Sequence, residues 1–156
     1  MKNIHDCQIF EEDVNIDKIY LKKEKSSFLR SIILTSDDAY KYAKQFYRDD
    51  IDIYESMFMI MLDRRANTIG FVKLSQGGVG ATLVDTRLIC KYAVSVLADS
   101  IILIHNHPSG NLLPSEQDKK TTSNTKLILE ILDIQLKDHI IMTSENYYSF
   151  NQENLL

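Results

Sequence analysis

The chain has only two cysteines, Cys7 and Cys90, and neither belongs to a C-x-x-C pair. That excludes a disulfide framework and favours a reducing compartment, with the cytoplasm as the expectation. A basic excess is also missing: 18 Lys and Arg stand against 22 Asp and Glu, for a net charge of −4. Nucleic-acid binders draw most of their affinity from neutralising phosphates. Here the basic doublets Lys22-Lys23, Arg64-Arg65 and Lys119-Lys120 are diluted by acidic neighbours. The expected surface is mixed and solvated, and charge does not support DNA association beyond a local basic patch. No apolar run approaches the roughly 20 residues that cross a bilayer. Met1–Asp6 carries no apolar h-region, so neither a membrane span nor a signal peptide is expected.

What is present is ordinary globular material. Apolar residues make up 44% and charged residues 26%, as in soluble domains. A chain of 156 residues is one domain by length, able to bury roughly two-thirds of its unfolded surface.

Residues 1–17 are acidic and aperiodic and read as an extended arm, and Lys18–Lys23 alternates weakly enough for a strand. Ser36-Asp37-Asp38 reads as a helix N-terminus, with the helix running to about Arg48. Ile51–Leu62 suits a buried strand, Asp63–Asn67 a hairpin turn and Thr68–Ser75 the partner strand. Gly77-Gly78 and Gly80 break the chain. Asp85 is a good N-cap for a helix whose apolar face is Leu88, Ile89, Tyr92, Ala93, Val96 and Leu97. Ser100–His105 suits a central strand buried on both faces. A helix from Ser115 has Leu127, Ile128, Ile131 and Leu132 as its later apolar face. Leu136–Met142 reads as a last central strand and Tyr147–Phe150 as an edge element. The alternation predicts an α/β domain with helices packed on a mixed sheet.

The chemistry concentrates in one stretch. His105-Asn106-His107 is followed by Ser115 and Asp118, giving H-x-H-x7-S-x2-D directly after the apolar run Ser100–Ile104. Residues i and i+2 of a strand point to the same side, so both imidazoles converge. Pro108 stops the strand, Gly110 lets the loop turn, and Asp118 sits at the next helix start. Three protein ligands leave a tetrahedral zinc one position for water, the arrangement of a catalytic site. Two His and a carboxylate suit zinc, with iron or manganese also compatible. The competing interpretation is structural: Ser115 as N-cap and Asp118 as the acidic third residue of a capping box. Ser115 can serve as both cap and active-site hydroxyl.

A hydrolase also needs a base to take a proton from the activated water. Glu55, at the head of the apolar strand Ser56–Leu62, is the best candidate. Glu is rarely placed against a core without a purpose, although a solvated strand end is the plain alternative. Asp52 and Asp85 are weaker rivals. His139 suits a hydrogen-bonded core histidine or a support for the ligands better than a fourth ligand. A zinc deaminase would show H-x-E and P-C-x-x-C. That signature, H-E-x-x-H, a P-loop and G-x-S-x-G are all absent. Gly77-Gly78-Val79-Gly80 lacks a phosphate-binding Lys and reads as a tight turn.

Ile104–Asn111 with Pro114-Ser115-x-x-Asp118 resembles the JAB/MPN (JAMM) metallopeptidase domain in its bacterial RadC-like form. The likeness extends to Glu55-x-x-Phe58-x-x-x-Leu62-Asp63, Ser75-x-Gly77-Gly78, Thr82-x-Val84-Asp85-x-Arg87, Asp138-His139-Ile140-Ile141 and Tyr147-Tyr148-Ser149-Phe150. It covers about residues 45–156, with 1–44 as an N-terminal extension of strand and helix. The resemblance implies a cytidine-deaminase-like mixed β-sheet sandwiched by helices, and one catalytic zinc on His105, His107 and Asp118. It further implies Glu55 as general acid/base and Ser115 as a hydrogen-bond partner of the bound water or the developing oxyanion. The implied chemistry is hydrolysis of peptide or isopeptide bonds in a protein or peptide substrate. Longer RadC-like proteins carry a glycine-dependent helix-hairpin-helix module. This chain has no glycine before Gly70, so that module is expected to be absent. The rival expectations are a DNA-repair or mobile-element accessory protein acting by binding, and a metal-dependent nuclease. The nuclease is disfavoured because magnesium sites are carboxylate-rich.

Overall fold

The computed structural model describes residues 22–47, 51–77 and 84–156. The predicted arm over 1–17 and most of the Lys18–Lys23 strand fall outside them. In chain order the elements are α1 (Ser36–Ala43), β1 (Ser56–Leu62), β2 (Thr68–Gln76), α2 (Thr86–Ser95), β3 (Ser100–Asn106), α3 (Glu116–Ile131), β4 (Gln135–Met142) and β5 (Tyr147–Ser149). The five strands form one mixed sheet in the order β2-β1-β3-β4-β5. Among the described residues, only β3 and β4 pair in parallel. A parallel pair needs a crossover, and α3 supplies it.

Strand alternation sends the core two ways. Phe58, Ile60, Leu62, Ile102, Ile104, Ile140 and Met142 pack with Ala39, Tyr40 and Ala43 of α1. Met57, Met59, Met61, Ile101, Leu103 and Leu136 pack with Ile89 and Ala93 of α2 and Leu129 of α3. Strands covered on both sides read as continuous apolar runs, which is why β1 and β3 are buried throughout. Helices cover both faces of a mixed sheet, as the sequence predicts. Among the described residues, no helix is long and apolar enough to cross a membrane.

Several boundaries differ from the sequence reading. Helix α1 stops at Ala43, and the chain then turns to bury Phe46 and Tyr47. Phe46 stacks on Phe71 with centroids 4.4 Å apart, while the Tyr47 hydroxyl donates to the Ser56 carbonyl at 2.8 Å. Residues 51–54 form turns, so the strand starts only at Ser56. Leu97 does not join the apolar face of α2: it lies beyond the helix with φ 53° and is 85% exposed. The predicted face of α3 is also corrected. Its buried residues are Asp118, Thr122, Thr125 and Leu129, while Leu127, Ile131 and Leu132 are exposed. Its inward stripe is polar because its first turns pack against histidines.

Candidate metal centre

The C-terminal end of β3 and the N-terminus of α3 meet at one point. His105 and Asn106 are the last residues of β3, and His107 begins the loop that follows. The loop folds back through a turn in which the Gly110 N–H donates to the His107 carbonyl at 3.0 Å. Gly110 takes φ 79°, a conformation that favours glycine. Ser115 then caps α3. Its hydroxyl accepts from the Asp118 N–H at 3.1 Å, while Asp118 Oδ2 accepts from the Ser115 N–H at 2.7 Å and hydroxyl at 2.6 Å. The capping box is therefore complete, as its structural interpretation requires. The box engages Oδ2 and leaves Asp118 Oδ1 3.2 Å from His105 Nε2.

His105, His107 and Asp118 are brought together, with their candidate ligand atoms within 4.8 Å of one another. His105 is fully buried, and the His107 side chain keeps 15% exposure. The two Nε2 atoms are 3.0 Å apart, and His107 Nε2 lies 3.7 Å from Asp118 Oδ2. A tetrahedral ion about 2.0–2.1 Å from each ligand separates the ligand atoms by about 3.3 Å, so the cluster has the right size for one.

The hydrogen-bond network assigns the imidazole protons. His107 Nδ1 lies 2.6 Å from the Asn111 carbonyl, which can only accept, so Nδ1 carries the proton. The Thr122 hydroxyl donates to the Asp118 carbonyl at 2.7 Å, and so accepts from His139 Nδ1 at 2.6 Å. His139 Nε2 is then an acceptor, and His105 Nδ1 donates to it at 2.9 Å. In their neutral forms both His105 and His107 thus present bare Nε2 lone pairs to each other across 3.0 Å. Two lone pairs at that distance repel, and a cation beside the Asp118 carboxylate relieves the repulsion. The donor set fits a metal ion.

Burial raises the Asp118 carboxyl's pKa, but the Ser115 hydroxyl and N–H donate to Oδ2 and pull it down, and the net shift is below the usual carboxylate range. Burial holds the His139 imidazole well below its ordinary value, so it is neutral. His139 faces the far side of the His105 ring from Asp118. Its Nε2 is taken up by His105 Nδ1, an arrangement that suits a support for the His105 ring and not a fourth ligand.

Glu55 sits immediately before β1. Met57 pairs with His105 across β1 and β3. Glu55 lies two residues before Met57 and outside β1, and its carbonyl accepts from the Gly77 N–H at 2.9 Å. Its segment is held by Asn106, which sequence reasoning missed. Asn106 is fully buried and points away from the histidines. Its Oδ1 accepts from the Ser56 N–H at 2.8 Å, and its Nδ2 donates to the Tyr54 and Ile51 carbonyls. The signal for it was its place between two same-side histidines, which forces an amide into the opposite face of the core. Of the weaker rivals, Asp52 is exposed, and Asp85 caps α2 and pairs with Arg87 at 2.6 Å. A cavity of about 190 Å³ lies on the α1 face, beside Asp138 and Ser36, away from the histidines.

Comparison with known proteins identifies a family. A family model described as the RadC-like JAB domain matches residues 33–155. A UPF0758 protein of Porphyromonas gingivalis is 41% identical over 128 residues, which are 81% of this chain and 56% of that protein. Another from Flavobacterium johnsoniae is 41% identical over 102 residues, 65% of this chain and 44% of the relative. A third, from Coprothermobacter proteolyticus, is 34% identical over 145 residues, 92% of this chain and 61% of the relative. The chain thus spans about half the length of these curated relatives.

Proposed function

The chain belongs to the RadC-like JAB domain family, and from that premise we propose that it is a zinc-dependent hydrolase of peptide or isopeptide bonds. The observation that carries the proposal is the pair of bare Nε2 atoms at 3.0 Å beside a carboxylate. Zinc suits two imidazoles and one carboxylate better than the harder ions do. His105, His107 and Asp118 would hold it, and Ser115 and Asn111 fix the orientation of Asp118 and His107. Such an ion, when bound, would supply polarisation of an amide carbonyl and a lowered pKa for water.

The other steps belong to the protein. Glu55, which directly precedes β1, takes the proton from the attacking water and returns it to the leaving nitrogen. His107 and Ser115 line the exposed side, where a substrate enters. Ser115 is exposed, and its hydroxyl would reach a developing oxyanion by turning its one proton away from Asp118 Oδ2, to which it donates in this structure. The acidic net charge and the diluted basic doublets favour a protein substrate over DNA.

Hydrolysis of one amide releases one new amine. The test is a proteomic comparison of new α- and ε-amines in cells carrying the wild-type chain or Glu55→Gln. Amines present only with the wild type support the reading. Identical amine profiles, with salt-dependent DNA binding that survives His107→Ala, would replace it with an accessory protein acting by binding.

A further inference from the structure

Resting on the metal reading above, we propose that His139 and Thr122 are positioning residues that hold His105 in the one tautomer able to bind a cation through Nε2. The two residues come from different elements, β4 and α3, and both are buried. With His105 on β3 they form one chain of hydrogen bonds: the Asp118 carbonyl, the Thr122 hydroxyl, both nitrogens of His139, and His105 Nδ1. Its three links measure 2.7, 2.6 and 2.9 Å.

The chain has one polarity. A backbone carbonyl has no proton to give, so the Thr122 proton points at Asp118 and every later proton is directed by that choice. The last consequence is a proton on His105 Nδ1 and a lone pair on Nε2. The ring of His139 is fixed between its two partners and stacks on Phe150, with centroids 4.8 Å apart and planes 14° from parallel. His139 has no exposed surface, so water does not supply a substitute partner.

The arrangement also closes on itself. Asp118 begins the chain through its carbonyl and meets the other end through its carboxylate, 3.2 Å from His105 Nε2. One candidate ligand therefore sets the tautomer of another. Without the Thr122 hydroxyl, His139 is free to carry its proton on Nε2. That proton then faces His105 Nδ1, drives the His105 proton to Nε2 and blocks the lone pair.

The test is zinc affinity, measured by competition with a chromophoric chelator on folded, metal-stripped protein. Thr122→Val is expected to weaken zinc binding by about 10- to 100-fold, the scale for losing the partner of a metal-ligating His. Thr122→Ser keeps the hydroxyl and is expected to retain wild-type affinity. His139→Phe is expected to weaken binding similarly, and His139→Gln, whose Oε1 can accept from His105 Nδ1, to recover most of it. If His139→Phe does not fold, the Thr122 pair decides. Wild-type affinity in Thr122→Val overturns the inference while leaving the metal reading in place. A wild-type protein that takes up no zinc removes both, which separates the two failures.

Discussion

The Nε2 atoms of His105 and His107 lie 3.0 Å apart, with each ring's other nitrogen committed to a buried His139 or to the Asn111 carbonyl. Neither ring can turn its lone pair away without losing that bond, so the fold carries a local repulsion that a cation removes. Zinc added to metal-stripped protein is expected to raise the melting temperature. Free zinc at 100 times its Kd stabilises by about 2.7 kcal/mol, which for a chain of this size is roughly 5–10 °C. Thermal unfolding with zinc and with excess chelator checks this. A melting temperature indifferent to both contradicts it.

Glu55 is expected to separate chemistry from binding. Glu55→Gln should keep zinc at wild-type stoichiometry while turnover falls by roughly 100-fold or more, the scale for a lost general base. Metal analysis and steady-state kinetics on one preparation give both values. Unchanged turnover removes Glu55 from the role of general base.

Much of this centre was legible because its spacing and its elements carry the same information. The i, i+2 histidines, the loop residues Pro108 and Gly110, and the Ser115-to-Asp118 cap each have a local reason to be where they are. Strand β3 was legible for the same reason, as an apolar run with a sharp end. The supporting residues were not. Thr122 sits mid-helix, where a threonine usually back-bonds to its own helix, and here it does so to Asp118 while also meeting His139. Only the crossover from β3 through α3 to β4 brings those partners together. The same packing explains the error over α3: its apolar Leu127 and Ile131 face outwards because Thr122 and Thr125 occupy the inward stripe. Hydropathy alone cannot see that a buried polar side chain has a partner on another strand.

Asn106 is expected to couple stability to activity. Asn106→Ala strands the Ser56 N–H and the Tyr54 and Ile51 carbonyls. An unsatisfied buried polar group costs about 1–3 kcal/mol, so the variant should unfold at clearly lower denaturant. Because the freed turn leads directly to Glu55, turnover should fall further than zinc affinity. Denaturant titration with paired kinetics tests this, and equal losses in turnover and affinity contradict it.

The pH dependence has a definite sign. Burial lowers the His139 pKa well below its ordinary 6.5, so on acidification the unfolded chain binds a proton that the fold does not. Stability of the metal-free protein is therefore full above about pH 6.5 and falls as pH drops below it. Asp118 adds a second loss in the same direction, beginning below its ordinary 3.8. His139→Gln removes the first loss only. Melting curves between pH 7.5 and 4.5, the range in which His139 and not Asp118 acts, should fall more steeply for the wild type than for His139→Gln. Parallel curves contradict the assignment of His139 as a buried neutral base.

The most direct test of the central claim is metal content by inductively coupled plasma mass spectrometry. Wild-type protein, His107→Ala and Asp118→Ala are purified without added metal and then offered zinc. One equivalent of zinc in the wild type, with loss of it in both variants, is the predicted result. No uptake by the wild type, or equal uptake by all three, would contradict a metal centre built on His105, His107 and Asp118.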